Sequence, residues 1–179
     1  MQFLRTRLDG AFVIEPAVHA DARGFFLESY SQSAFAAAGL RAAFTQDNHS
    51  RSAKGTLRGL HYQLDPMAQG KLVRVVRGAA FDVGVDLRPG SPTRGQWIGE
   101  TLSADNHRML YLPPGCAHGF LALEEGTEVL YKVTQPYAPA HERGVVWNDP
   151  ALAIRWPSLD VPYLIAERDR RFPTLDPVA

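Results

Sequence analysis

Apolar residues along this chain fall in short runs broken at close intervals by glycine and proline: RGFFLESY, KLVRVVRG, AAFDVGVDLRPGSP, GQWIGETL, RMLYLPPG, HGFLAL and TEVLYKVT. Runs of this length with turn residues between them read as strands. Their number predicts an all-β chain built as an antiparallel sandwich or jelly-roll barrel, with its ligand site in the barrel mouth. In FDVGVDL, Phe81, Val83, Val85 and Leu87 share one face and Asp82, Gly84 and Asp86 the other, the alternation of a half-buried strand. SAFAAAGL predicts a short peripheral helix capped by Ser33 and ended by Gly39. From residue 136 prolines become frequent, in PYAP, NDP, WPSLDVP and RFPTLDP. That density argues against central strands and predicts a tail, 136–179, wrapped over a core of about 20–135. No linker or repeat divides the 179 residues, a length suited to one domain.

One stretch departs from simple alternation. GTLRGLHYQ, residues 55–63, sets Arg58 and His61 three positions apart, which in an ideal strand puts them on opposite faces. Gly59 between them marks a bulge or a close backbone approach, and either turns both side chains into one cavity.

Composition narrows the partners. Lys plus Arg equals Asp plus Glu at 19 each, so no net field draws the chain to nucleic acid or anionic lipid. Cys116 is the single cysteine, which rules out an internal disulfide and fits a reducing compartment; as a nucleophile it is a weak candidate. The stretch MQFLRTRLDG carries charges where a signal peptide needs an apolar segment, and no apolar run is long enough to span a bilayer. A soluble cytoplasmic protein is expected.

Polar residues pointing into a barrel are the informative ones, and four stand out: His61, Lys71, His118 and Tyr131. Taken alone, Lys71 reads as a solvated rim lysine, because lysine is rarely buried without a partner. A lone His61 on an apolar face reads as a satisfied core histidine unless a carboxylate orients it, and Asp169 in AERDRR is the candidate. His118 follows the turn in PPGCAHGF, where ligand contacts gather, and Tyr131 in VLYKVT is a strand aromatic unless its phenol faces a base. A barrel metal site would need a His-x-His pair, and position 63 is Gln, so the metal signal is poor. With no Gly-x-Ser-x-Gly elbow, phosphate loop or dinucleotide fingerprint, proton transfer is favoured over acyl transfer or redox chemistry.

The chain resembles the dTDP-4-dehydrorhamnose 3,5-epimerase family of cupin-like sugar-nucleotide enzymes. The resemblance runs nearly end to end through RGFFLESY, FTQDNHSRSAKGTLRGLHYQ, QGKLVRVVRGAAFDVGVDLRPGSPTRGQW, LPPGCAHGF, LYKVTQPYAP and WNDPALAIRWP. It implies a jelly-roll barrel, a homodimer in which amino-terminal strands complete the partner's sheet, and neither metal nor nucleotide redox cofactor. It also implies roles: His61 as base, Asp169 as its partner, Lys71 as the cation that stabilises an enolate, and Tyr131 as the acid on the opposite face. Arg23, Glu28, Gln46, Asp47, Asn48, Arg58, His118 and Glu142 fall on positions that hold the nucleotide diphosphate or sugar of a dTDP-4-keto-6-deoxyhexose.

Four positions depart from the family pattern. Ala166 and Arg168 stand where serine and lysine are usual before Asp169, and Arg94 and Cys116 replace common aromatics. Arg168, counted with the substrate-binding set, keeps the charge but brings a planar fork. The leading expectation is inversion at C3 and C5, feeding dTDP-L-rhamnose synthesis. The alternatives are a mono-epimerase acting at C3 or C5 only, a metal-dependent cupin with His61 and His118 as ligands, and a non-catalytic sugar-nucleotide binding module.

Overall fold

The computed structural model describes residues 1–40 and 42–175. Two six-stranded sheets make up most of it. The first runs β1 (Gln2–Arg5), β2 (Phe12–Glu15), β10 (Met109–Leu112), β7 (Lys71–Arg77), β12 (Thr127–Val133) and β5 (Gln46–Ser52) in spatial order. The second runs β13 (Glu142–Gly144), β6 (Thr56–Gln63), β11 (Cys116–Ala122), β8 (Ala79–Asp86) and β9 (Trp97–Ser103), with β14 (Leu164–Ile165) added in parallel to β6. A separate hairpin, β3 (Val18–Asp21) with β4 (Gly24–Leu27), stands exposed, and Phe25 and Phe26 on it are 60% and 70% accessible. This is the all-β, jelly-roll architecture expected from the strand rhythm.

Apolar side chains from both sheets fill the space between them. Val13, Val73, Val75, Leu110 and Val129 of the first sheet meet Ile98, Leu102 and Phe120 of the second, all nearly inaccessible to water. Each such residue contributes about 1.5–3 kcal/mol relative to an exposed position. The sheets approach closely here: a Cβ on Gly84 would lie 2.3 Å from Leu112 Cδ2 across the interior.

Two further apolar layers cover the outer faces. On the first sheet, α1 (Gln32–Ala37) inserts Phe35 among Phe12, Ile14, Leu72, Met109 and Tyr111. Its N-cap is Ser31, not Ser33: Ser31 has extended backbone and its Oγ accepts from Ala34 N at 3.4 Å. The helix is therefore short as expected and starts earlier; the residue after its Ala38 cap is Gly39, at φ +84°.

On the second sheet the proline-rich tail is the cover. Val145, Leu152 and Trp156 pack on Leu60, Val83 and Val85. That packing corrects the reading of FDVGVDL as half-buried. Its apolar face lies under the tail and its polar face, Asp82 and Asp86 included, lies in the interior, so both faces are buried. The last four residues of the expected tail, 176–179, lie outside the described residues.

Gly59 sits where β6 and β11 come closest. Its φ is +121°, and a Cβ there would lie 2.5 Å from Gly119 Cα and 2.8 Å from the His118 carbonyl oxygen. Backbone strain and backbone overlap act together at this point. Gly59→Ala is expected to destabilise the protein by about 2–4 kcal/mol, read from the midpoint shift in urea denaturation.

Candidate active site

The sequence puzzle in GTLRGLHYQ resolves as a bulge. β11 pairs His118 with His61 and Phe120 with Arg58, so two residues of β11 span three of β6. The extra residue brings Arg58 and His61 to one side, and both line a cavity of about 730 Å³ between the sheets. A bulge also frees a backbone donor. Gly59 N donates to Asp169 Oδ2 at 3.1 Å, while His61 Nε2 lies 2.8 Å from Asp169 Oδ1.

Asp169 comes from α2 (Glu167–Arg170), which follows β14, so the tail delivers it to the one strand that needs it. Burial pushes its carboxyl up, but the donors His61 and Gly59, with Arg168 at 3.6 Å, hold it below the usual carboxylate range. An ionised Asp169 fixes the proton on His61 Nε2 and leaves Nδ1 with its lone pair. Phe172 meets the His61 ring edge-on at 5.5 Å and limits its rotation.

Lys71 overturns the expectation of a solvated rim lysine. It is 6% exposed, and its Nζ donates across the interior to the His61 carbonyl at 3.1 Å. Burial is the main cause that brings the ammonium down to about 8, opposed by the negative charges of Asp82 and Glu142. Two residues beyond its register partner Val133, on the same face of β12, Tyr131 lines the cavity from the sheet opposite His61. Burial raises the Tyr131 phenol, with Arg58 opposing, so it holds its proton through neutral pH.

The remaining polar groups divide by position. His118 lies 2.8 Å by Nε2 from Asp82 Oδ1, both buried, and its ring is 6.3 Å from that of Tyr131. Gln46 donates to Asn48 Oδ1 at 2.8 Å, and Arg58 Nε to Ser52 Oγ at 3.2 Å. Glu142 accepts from Tyr137 and Arg168, each at 2.9 Å. These residues line the cavity except Asp82, which lies beneath it, and Ser52. Asp47 pairs with Lys132 on the outside at 2.9 Å, Arg23 pairs with Asp21 on the exposed hairpin, and Glu28 is exposed; none of the three lines this chain's cavity.

Sequence reasoning missed Asp82 and Gln63. The signal for Asp82 was present, a carboxylate inside a strand with no polar partner nearby in sequence. Gln63, noted only for not being histidine, donates to Met67 O and Pro136 O and accepts from Ala138 N, fastening the start of the tail. Among the described residues no three His, Cys, Asp or Glu side chains converge as a metal-ligand group.

A sequence profile of the dTDP-4-dehydrorhamnose 3,5-epimerase family matches residues 5–177. The dTDP-4-dehydrorhamnose 3,5-epimerase of Pseudomonas aeruginosa is 56% identical over 172 residues, 96% of this chain and 94% of that protein. Among solved structures, the dTDP-6-deoxy-D-glucose-3,5-epimerase of Legionella pneumophila, in complex with dTDP-4-keto-L-rhamnose, is 43% identical. It superposes with a TM-score of 0.92 over 97% of this chain and 92% of its own. A 3'-monoepimerase of Streptomyces bikiniensis in complex with dTDP-quinovose is 37% identical, with a TM-score of 0.88 over 94% and 85%.

The lowered Asp169 carboxyl sets a pH signature. Its stabilisation is complete above the unfolded-chain value of about 3.9 and is lost as pH falls through the lower folded value. Between pH 6 and 3 the urea midpoint of Asp169→Asn is therefore expected to fall less than that of the wild type, the difference between the two curves closing on the acid side.

Proposed function

The chain belongs to the dTDP-4-dehydrorhamnose 3,5-epimerase family, and from that premise we propose that it inverts C3 and C5 of dTDP-4-keto-6-deoxy-D-glucose on the route to dTDP-L-rhamnose. The observation that carries this reading is the placement of His61 and Tyr131 on facing sheets of one cavity, with the Lys71 ammonium reaching between the sheets.

A hydrogen beside a ketone is acidic only as far as the enolate left behind is stabilised, so a cation at the carbonyl oxygen comes first. Lys71 supplies it. His61 Nδ1 removes the proton from C3 or C5, and Asp169 stabilises the imidazolium that forms. Tyr131 returns a proton to the other face of the enolate, and reprotonation from that side is what inverts the carbon. A phenol kept neutral by burial gives up its proton only to a strongly basic carbon.

Arg58 takes diphosphate oxygens, and Gln46, Asn48, His118, Glu142 and Arg168 hold the remaining groups of the sugar nucleotide. Remote binding energy then becomes orientation at the reacting carbons. Arg23, Glu28 and Asp47 belong to this set through a second copy of the chain. The hairpin that carries Arg23, with Glu28 just past it, exposes two phenylalanines and packs against neither large sheet as a strand, the form expected of amino-terminal strands exchanged in a homodimer. The reading needs no cofactor, and it places the protein in the cytoplasm. Among the described residues no helix is long and apolar enough to cross a membrane.

In deuterated water, the protein supplied with the 4-keto sugar nucleotide is expected to place label at both C3 and C5; label at one carbon alone moves it to the mono-epimerases. His61→Ala and Tyr131→Phe are each expected to lower kcat by about 10²–10⁴, measured by coupled turnover of the epimerised product. Because the ammonium form of Lys71 is the active one, kcat/KM should decline as pH rises through about 8.

A further inference from the structure

We infer that Asp82 is a positioning residue of this site: from beneath the cavity, its Oδ1 fixes the ring of His118 and its Oδ2 is the counter-charge of the Lys71 ammonium. The inference rests on the function proposed above for what Lys71 does, but not for the electrostatics themselves.

Asp82 is 1% exposed and points from β8 into the interior beside β11. One oxygen is taken by His118, 2.8 Å away. The other, Oδ2, is buried without a hydrogen-bond partner. A carboxylate so placed is unfavourable unless an opposite charge stands near. Lys71 is the one buried lysine or arginine among the described residues, and its ammonium has a single hydrogen bond, to the His61 carbonyl.

The groups facing Lys71 leave Asp82 as the free counter-charge. Glu142 on β13 is engaged by Tyr137 and Arg168. The Cys116 thiol on β11, pushed up to about 12 by burial, stays neutral, as does the Tyr131 phenol on β12. On β6, His61 offers Lys71 its carbonyl and turns its ring to Asp169. Burial is the largest influence on Lys71, and among the charges acting on it Asp82 is foremost. Without Asp82 a lysine this deep would lose its proton near working pH, and the cation that an enolate requires would be gone.

The three lysines of the chain, Lys54, Lys71 and Lys132, make a direct test possible. With lysine labelled by ¹³C at Cε, NMR titration reads each one separately. Lys54 and Lys132, paired on the outside with Asp160 and Asp47, serve as internal references. In folded Asp82→Asn, Lys71 is expected to titrate about one pH unit or more below wild type, with the references unmoved and the alkaline limb of kcat/KM shifted the same way. An unmoved Lys71 in that variant overturns the inference. If Asp82→Asn does not fold, the wild type decides the matter: with aspartate labelled by ¹³C at Cγ, the Asp82 signal is expected to move with the Lys71 titration near pH 8, and an Asp82 signal that stays flat through it overturns the inference. The NMR readout needs no turnover, so a failure of deuterium incorporation would remove the epimerase reading while leaving this one standing.

Discussion

The site depends on one carboxylate that accepts from two donors. Asp169 takes the Gly59 N–H through one oxygen and faces His61 Nε2 through the other. The first bond satisfies the backbone group that the β6 bulge sets free, and the second selects the tautomer of the ring that the same bulge turns inward. Fold and chemistry therefore share a single contact. Gly59 must be glycine because β11 lies against it, and the bulge must be there because Arg58 and His61 have to face one way.

The interior between the sheets is divided accordingly. Where Val73, Leu110 and Phe120 meet, it is dry and closely packed. Where β6, β7, β11 and β12 line the cavity, it is polar, and its side chains are partnered: His61 with Asp169, His118 with Asp82, and Lys71 with the His61 carbonyl. Burial is what makes these groups useful. It brings a lysine down to about 8 and holds a tyrosine neutral, and both project from the first sheet into the cavity that His61 enters from the second.

Much of the fold was legible because strand runs and turn residues are local properties. The alternation in FDVGVDL was legible too, but its meaning was not: that face pattern normally puts the polar side in water, and here a tail whose cover begins at Val145, 58 residues after Leu87, lies over the apolar side instead. The cap of α1 was misplaced because SQS offers two serines, and only backbone geometry chooses between them. Lys71 was read as a rim residue because the compensating Asp82 and the His61 carbonyl come from other strands. Gly59 and the odd spacing around it were the local signal that did point to the site, since a glycine inside an apolar strand needs a reason. The resemblance named the partners that distance in sequence concealed.

The order of the elements along the chain ties the cover of the second sheet to the site. Both large sheets draw their central strands from residues 12–133, whereas the carboxylate that completes the dyad lies at 169, behind the proline-rich cover. The residues before 136 hold both sheets' central strands, but neither the carboxylate that faces His61 nor the side chains that cover the outer face of β8. The cover of that apolar face and the seat of Asp169 are thus parts of one stretch of chain, so the tail serves the sheet and the site together.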